Sequence, residues 1–230
     1  MLRPVTVVVP APEGLFIRSP RGEYTLRAPA LGRAWPSLAA HLESGAVPEL
    51  LPGSLVEALL GTGAAVQVPA ALAGSELPWH RYALAWAANP AAAVDRIATA
   101  RWEVSGGPVE TGAVRAAAHD WGLAEPGGTA SPAGGGHGLR LVCRGGGGRF
   151  VLRLVARDGV LVVERADGGL APEPLPGGFA PPVRAVAAAA ALHAGLVLAS
   201  GPGGWEWPGL PVTVDPRTLT LTGADGTSSR

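Results

Sequence analysis

The residues of this chain that could do metal chemistry are few and scattered. The five histidines show no His-x-x-x-His pair and no acidic partner at ligand spacing. Cys143 is the only cysteine, so neither an internal disulfide nor a Cys-x-x-Cys zinc site can form. The pattern therefore predicts no metal site. The histidines concerned are His41, His80, His119, His137 and His193.

Two groups could supply a nucleophile. Cys143 precedes Arg144, which would favour a thiolate, although the surrounding apolar run also suits a buried strand residue. Ser105, His119 and Asp120 are the residue types of a hydrolase triad, but no Gly-x-Ser-x-Gly elbow surrounds Ser105. Adjacent helical residues also point in different directions. We therefore expect no catalytic residue.

A glycine-containing segment could in principle bind a nucleotide. Residues 100–107 form a strand pattern that runs into glycines, and a helical pattern follows over 109–121, as at the start of a nucleotide-binding α/β unit. Pro108 removes an amide donor from the helix start, and Glu110 brings negative charge to it. No lysine is present. The segment therefore predicts a structural loop and no cofactor.

The elements that would carry a function begin with three strands. Residues 5–9 are β-branched, and residues 14–18 and 23–27 alternate apolar and polar side chains between turn-forming segments. From Leu31 the spacing of apolar residues becomes helical and stays so until Gly61 and Gly63. This order of elements predicts a small winged-helix module that begins with its strands.

The second half reads differently. A strand, a glycine turn and a helix come first, then a Gly-, Pro- and Ser-rich loop over 125–138, three strand patterns and an alanine-rich helix over 183–200. The predicted fold is an α+β winged-helix peptide-binding domain followed by a reduced α/β domain. The predicted boundaries are 1–78 for the first domain, 79–99 for an aromatic linker, 100–222 for the second domain and 223–230 for a disordered tail.

Composition excludes several classes. The formal net charge is zero, which disfavours nucleic acid and anionic membranes as partners. The apolar run over 183–200 contains Arg184 and His193, so it suits a buried helix better than a membrane span. The first residues lack the basic and hydrophobic regions of a signal peptide. We therefore expect a cytoplasmic protein.

The N-terminal segments resemble a known peptide-binding module. Leu2-Arg3-Pro4, residues 14–18, Gly22 to Leu26, a Leu-x-x-His-Leu helix at 38–42 and residues 55–63 are similar to the RiPP recognition element, the winged helix that binds leader regions of ribosomally made, post-translationally modified peptides. Residues 100–123 and 182–221 resemble the first and last parts of a ThiF-like, Rossmann-type domain that lacks its middle. Together they resemble the leader-binding partner proteins of YcaO-type cyclodehydratases and peptide dehydratases.

This resemblance implies a site. In the family, an extended leader peptide adds to the edge of the third strand and lays apolar side chains against a helix. In this sequence the strand is 23–27 and the helix is 55–60, with Arg27 and Glu57 placed to select charged leader residues. The implied peptide-binding residues are Glu23, Tyr24, Thr25, Leu26, Arg27, Val56, Leu59 and Leu60.

Two other functions stay open on sequence alone. A ThiF-like domain that adenylates its substrate would bind ATP, although the family's zinc-binding cysteine pairs are missing. A winged-helix DNA-binding regulator would need arginines on the 55–60 helix, which carries Glu57 and no arginine. Whether the second half forms a homodimer also stays open.

Overall fold

The computed structural model describes residues 1–19, 21–43, 53–128, 138–145, 148–166, 174–175, 178–201, 209–224 and 228–229. The chain divides into two compact units, Met1–Val94 and Asp95–Arg230. The boundary falls where a linker was expected at 79–99, but those residues form two helices instead, with Trp79, Leu84 and Ala93 buried. Apolar side chains on helical spacing explain the difference. His137 and most of the two Gly/Pro-rich stretches lie outside the described residues.

The first unit begins with an antiparallel sheet in the order β1-β2-β3. The strands are β1 (Val7–Ala11), β2 (Gly14–Ser19) and β3 (Gly22–Arg27). Leu15 and Ile17 of the central strand are fully buried, whereas Phe16 between them is exposed. This alternation is the period of two that a half-buried sheet requires. It confirms the three predicted strands to within about two residues.

Two helices, α1 (Pro29–Glu43) and α2 (Gly53–Gly61), pack against the inner face of this sheet. Along the chain they are followed by α3 (Ala70–Ala73), α4 (Pro78–Trp86) and α5 (Pro90–Thr99). Trp35 and Leu42 of α1 and Leu55 and Leu59 of α2 pack in one core cluster with the buried residues of β2. After α2, Ala65 forms an isolated antiparallel bridge with Leu2.

A buried arginine from the beginning of the chain forms hydrogen bonds with the C-terminal end of α4. The guanidinium of Arg3, which is 3% exposed, donates hydrogen bonds to the carbonyl oxygens of Leu84 at 2.8 Å and Ala87 at 2.9 Å. These carbonyls lie at the C-terminus of the helix, where a cation is favourable. Burial, and to a smaller extent the charge of Arg21, lowers the pKa of Arg3 to about 10. The beginning of the chain is thereby fixed to α4.

The second unit contains an antiparallel sheet in the order β10-β9-β8-β7-β6-β5-β4. Its strands are β4 (Arg101–Gly106), β5 (Leu139–Gly145), β6 (Gly148–Arg157), β7 (Val160–Ala166), β8 (Val212–Val214), β9 (Leu221–Thr222) and β10 (Ser228–Ser229). The chain is thus α+β, as expected. Two of the residues predicted to be a disordered tail form β10, while residues 225–227 and 230 lie outside the described ranges.

The strand directions correct one expectation about this unit. A doubly wound α/β unit would follow β4 and its helix with a parallel strand. Here β5 pairs with β4 in antiparallel register, with Trp102 opposite Cys143 and Gly106 opposite Leu139. The glycine turn and helix were predicted correctly, but the spacing of apolar residues along one strand does not specify the direction of its neighbour.

Two helices pack on one face of the sheet, α6 (Pro108–Asp120) and α7 (Pro181–Ser200). A side chain at Gly195 of α7 would lie 2.8 Å from the indole of Trp102, so glycine permits the helix to approach the sheet. α7 is long and apolar enough to cross a membrane, but 67% of that stretch is buried inside the unit. Within the structure, α7 is therefore a largely buried helix of the second unit.

An ion pair lies between these two helices. Glu110, which is fully buried, has its Oε1 3.3 Å from Nη1 of Arg184, which is 6% exposed. Glu110 is the third residue of α6, where the helix dipole favours a carboxylate. Neither carboxylate oxygen has a hydrogen bond among the described residues. Each charge therefore depends on the other for its compensation.

Replacing Glu110 by glutamine tests this dependence. E110Q leaves a buried guanidinium without its counter-charge, and we expect the free energy of unfolding to fall by about 3–5 kcal/mol. Urea denaturation followed by circular dichroism measures the change. The control E125Q alters an exposed pair with Arg115 and should cost less than about 1 kcal/mol. Equal losses in both variants would contradict the assignment, and E110L/R184M should be more stable than E110Q.

A second stability prediction concerns His193 of α7, whose ring lies 5.3 Å from that of Trp121. Burial lowers the pKa of His193 to about 4 from its ordinary 6.5. The unfolded chain takes up this proton more readily, so the stabilisation is complete above pH 6.5 and is lost as the pH falls towards 4. Urea titrations at several pH values in this window should show that the free energy of unfolding changes less with pH in H193Q than in wild type. The exposed-site control H119Q should show the same change with pH as wild type.

Candidate functional site

The outer edge of β3 presents backbone groups that have no partner among the described residues. A two-residue connection joins β2 to β3, and the flanking residues Ser19 and Gly22 are direct partners. Residues beside such a turn exchange hydrogen bonds, and bonded pairs then alternate along the ladder. Tyr24 and Leu26 therefore bond to β2. The outward N–H and C=O groups belong to Glu23, Thr25 and Arg27.

The opposite edge of the same sheet is less suited to a new strand. The connection between β1 and β2 also has two residues, with Ala11 opposite Gly14. By the same alternation, Val8 and Pro10 point their backbone outward from β1. Proline has no N–H, so it interrupts the row of donors at this edge. Strand addition therefore favours β3.

A groove of about 360 Å³ lies at the end of β3. It is formed where the end of this strand, the first turn of α1 and one side of α2 meet. The lining is mostly aliphatic, and Arg27 is its one charged member among the described residues. The lining residues are Leu26, Arg27, Ala28, Leu31, Ser54, Leu55 and Ala58.

Two polar contacts fix α2 beside this hairpin. The hydroxyl of Ser19, at the end of β2, donates to the carbonyl oxygen of Thr62 at 2.7 Å. Nη1 of Arg21, in the turn that follows, donates to the carbonyl oxygen of Gly61 at 3.1 Å. The end of α2 is thereby held against the turn that leads into β3.

The structure divides the predicted site residues into two groups. Leu26 and Arg27 line the groove, and Tyr24 lies on the same inward face of β3 as Leu26. Glu23 and Thr25 contribute their backbone to the open edge, with side chains on the outer face. The other three residues, Val56, Leu59 and Leu60, face a separate apolar cavity of about 300 Å³ on the other side of α2.

The assignment of Leu59 to the peptide surface does not fit its position. Its side chain is 1% exposed and belongs to the core cluster of the first unit. A substitution there would report on folding and not on peptide contact. The α2 residues at the groove are instead Ser54, Leu55 and Ala58, which sequence reasoning missed. Their spacing of one and three residues marks one helical side, but only the tertiary structure shows which side meets β3.

The charges near the edge are unequally compensated. Nε of Arg18 lies 3.8 Å from Oε1 of Glu23 on the outer face, with both side chains largely exposed. Such a surface pair contributes little to stability. Arg27 forms no ion pair with the described residues, and it is one of the residues that line the groove. An approaching peptide would therefore meet a net positive charge at this end of the strand.

The glycine segment of the second unit is closed by the protein's own backbone. Gly106 has φ of +154°, and a side chain there would collide with the carbonyl oxygen of Gly138. The N–H of Gly107 donates to that same oxygen at 3.0 Å. Pro108 has no N–H, and Glu110 is buried against Arg184. The glycine at position 106 is thus explained by close backbone approach.

The remaining candidates do not assemble into a catalytic site. Cys143 is 1% exposed, and burial raises the pKa of its thiol to about 11, so the buried-strand interpretation is confirmed. Ser105 lies on the sheet face opposite α7, whereas His119 and Asp120 are exposed at the end of α6. In the part of the chain that the structure describes, no group of three His, Cys, Asp or Glu residues could hold a metal ion.

One serine–histidine pair was not anticipated. Oγ of Ser75 lies 2.6 Å from Nδ1 of His80, and it also accepts a hydrogen bond from the N–H of Leu77. These contacts place the hydroxyl at the beginning of α4, which starts at Pro78. Burial lowers the pKa of His80. Among the described residues, no carboxylate forms an ion pair with this ring, so the pair lacks the third member of a catalytic triad.

Comparison of the chain with protein-family models, with curated proteins and with solved structures finds no match.

Hydrogen exchange tests the assignment of the open edge in the free protein. We expect slow exchange for the amides of Tyr24 and Leu26, and exchange at least about tenfold faster for those of Glu23, Thr25 and Arg27, because only the first two bond to β2. Two-dimensional NMR after transfer to deuterated buffer measures both groups in one sample. Uniform protection along the strand would show that the edge is already occupied.

Proposed function

We propose that this protein binds the leader region of a ribosomally made precursor peptide and presents that peptide to a separate modifying enzyme, a YcaO-type cyclodehydratase or a peptide dehydratase, in the cytoplasm. The first unit would act as a winged-helix module of the RiPP recognition type. The observation that carries the proposal is the open edge of β3 with an aliphatic groove at its end. Strand addition beside such a groove is an established mode of peptide recognition.

The backbone supplies the affinity in this proposal. Glu23, Thr25 and Arg27 together offer three N–H donors and three C=O acceptors along one line. A peptide in extended conformation can pair with these groups, and each net hydrogen bond contributes about 0.5–1.5 kcal/mol. Because the pairing is made by the main chain, it is largely independent of the leader sequence. It fixes the register of the peptide against β3.

The groove supplies the selectivity. Alternate side chains of an extended peptide point to the same side at intervals of about 6.6 Å. Side chains on the inward side would enter the space between Leu26, Leu31 and Leu55, where aliphatic groups are removed from water. Arg27, which lines the groove, would favour an acidic residue of the peptide. Glu57, which is exposed on α2, would favour a basic residue at another position of the peptide.

The second unit supports a role without chemistry of its own. It keeps the strand, glycine turn and helix that resemble the start of a ThiF-like domain, and the helix and hairpin that resemble its end. However, the amide of Gly107 is taken by Gly138, and Glu110 is engaged with Arg184. The amide of Gly107 is therefore not available to a phosphate, and Glu110 places a negative charge at the start of α6. We therefore propose a structural role for this unit.

Replacing Thr25 by proline tests the binding mode. The N–H of Thr25 points outward, so T25P removes one donor from the open edge and leaves the hydrogen bonds between β2 and β3 intact. Edge strands tolerate proline at such outward positions. We expect a leader peptide to bind at least about tenfold more weakly, roughly 1.4 kcal/mol. The probe is a fluorescein-labelled synthetic peptide of alternating aliphatic and acidic residues, and its binding is measured by fluorescence anisotropy.

T25A is the matched control, because it removes the side chain and keeps the N–H. It should bind within about twofold of wild type. L31D, which places a charge in the groove, should weaken binding as T25P does. Circular dichroism and urea midpoints establish that each variant is folded. Wild-type affinity in folded T25P and L31D would refute strand addition at β3.

A further inference from the structure

The sheet of the second unit has one face rich in arginine. Trp102 and Leu141 lie against Gly195 of α7, so their neighbours along β4 and β5 point to the other face. Because directly paired residues on neighbouring strands lie on the same face of a sheet, the strand pairing also assigns the residues of β6 and β7 to one face or the other. The arginines that share the face pointing away from α7 are Arg101, Arg140, Arg144, Arg149, Arg153 and Arg157.

Three of these arginines form a single cross-strand row. Arg101 is directly opposite Arg144, and Arg144 is directly opposite Arg149. All three are exposed. Because neighbouring strands lie about 4.8 Å apart, the three side chains start within about 10 Å of one another. Like charges in direct opposition destabilise a sheet, so this row is a cost to the fold unless an anion relieves it.

Carboxylates of the same face compensate only part of this charge. Glu103 pairs with Arg144 at 3.2 Å, and Glu164 pairs with both Arg153 and Arg157 at 2.6 Å. The three other arginines form no ion pair among the described residues, and the buried Nε of Arg140 has no hydrogen-bond partner there. This face of the four strands therefore carries six guanidinium groups and two carboxylates, although the net charge of the whole chain is zero.

We propose that this face, centred on Arg101, Arg144 and Arg149, docks an acidic segment of a partner polypeptide. The guanidinium group matches the carboxylate in planar, two-bonded geometry, and the face already uses this chemistry in its own ion pairs. Single-stranded nucleic acid would also need aromatic rings for base stacking. The rings on these strands, Trp102 and Phe150, lie on the opposite face against each other.

This docking surface belongs to the second unit and shares no residue with the β3 edge. It does not depend on the proposed leader binding. Either surface can therefore fail its own test without affecting the other.

Binding of a model acidic peptide to the full chain tests the proposal. The probe is fluorescein-labelled decaglutamate in buffer of about 50 mM salt, where surface charges are weakly screened. We expect saturable binding that R101Q/R149Q weakens at least about tenfold. The matched control R33Q/R217Q removes the same charge from exposed arginines elsewhere and should change the affinity less than about twofold.

Two kinds of result would overturn the proposal. Absence of binding by wild type, or equal affinity in folded R101Q/R149Q and the control, would show that the arginine row is only a solvated surface. Tighter binding of a dT decamer than of decaglutamate, lost in R101Q/R149Q, would assign the face to a phosphate backbone. Competition by inorganic phosphate at concentrations where chloride has no effect would likewise identify a phosphate site.

Discussion

In an antiparallel sheet, successive residues of a strand direct their backbone groups to opposite sides and their side chains to opposite faces. This alternation determines which groups are presented at the edge of β3 and on the arginine face of the second sheet. In the first sheet, the two-residue connections place Leu15, Ile17 and Ser19 of β2 in hydrogen bonds with β3, and the alternate residues with β1. The two hairpins therefore agree on one alternation. That agreement leaves the backbone of three β3 residues directed outward, and it places Pro10 at the corresponding position of the other edge.

The same alternation assigns the side chains of the second sheet to two faces. On the inner face, Trp102 and Leu141 meet α7, whose Gly195 permits close approach to Trp102. The outer face carries the arginines together with buried valines such as Val142 and Val151. A close-packed inner layer holds the strands in register, because any shift by one residue would exchange the two faces. The arginine row is therefore fixed by the packing on the other side of the sheet.

Charge in this protein has two different roles. Where water is excluded, as for Glu110 and Arg184, the charges pair with each other and bind two helices together. At the surface, Arg27, Arg101 and Arg149 carry positive charges that have no ion-pair partner among the described residues. A chain of zero net charge can therefore still carry local positive surfaces, which a count of charged residues does not reveal.

The local helices and strands follow from patterns within the amino-acid sequence. The three first strands, α6, the three central strands and α7 could be predicted to within a few residues, because the apolar period of two or of 3.6 and the Gly and Pro breaks are local signals. The family resemblance directed attention to the edge of β3, and the apolar run around Cys143 indicated a buried strand residue. Only the tertiary structure decided which side of α2 meets β3, that Leu59 belongs to the core, that β5 runs antiparallel to β4, and that arginines from three strands share one row. These are properties of contacts between segments distant in sequence, where register, strand direction and helix rotation are set by packing and not by the pattern within a segment.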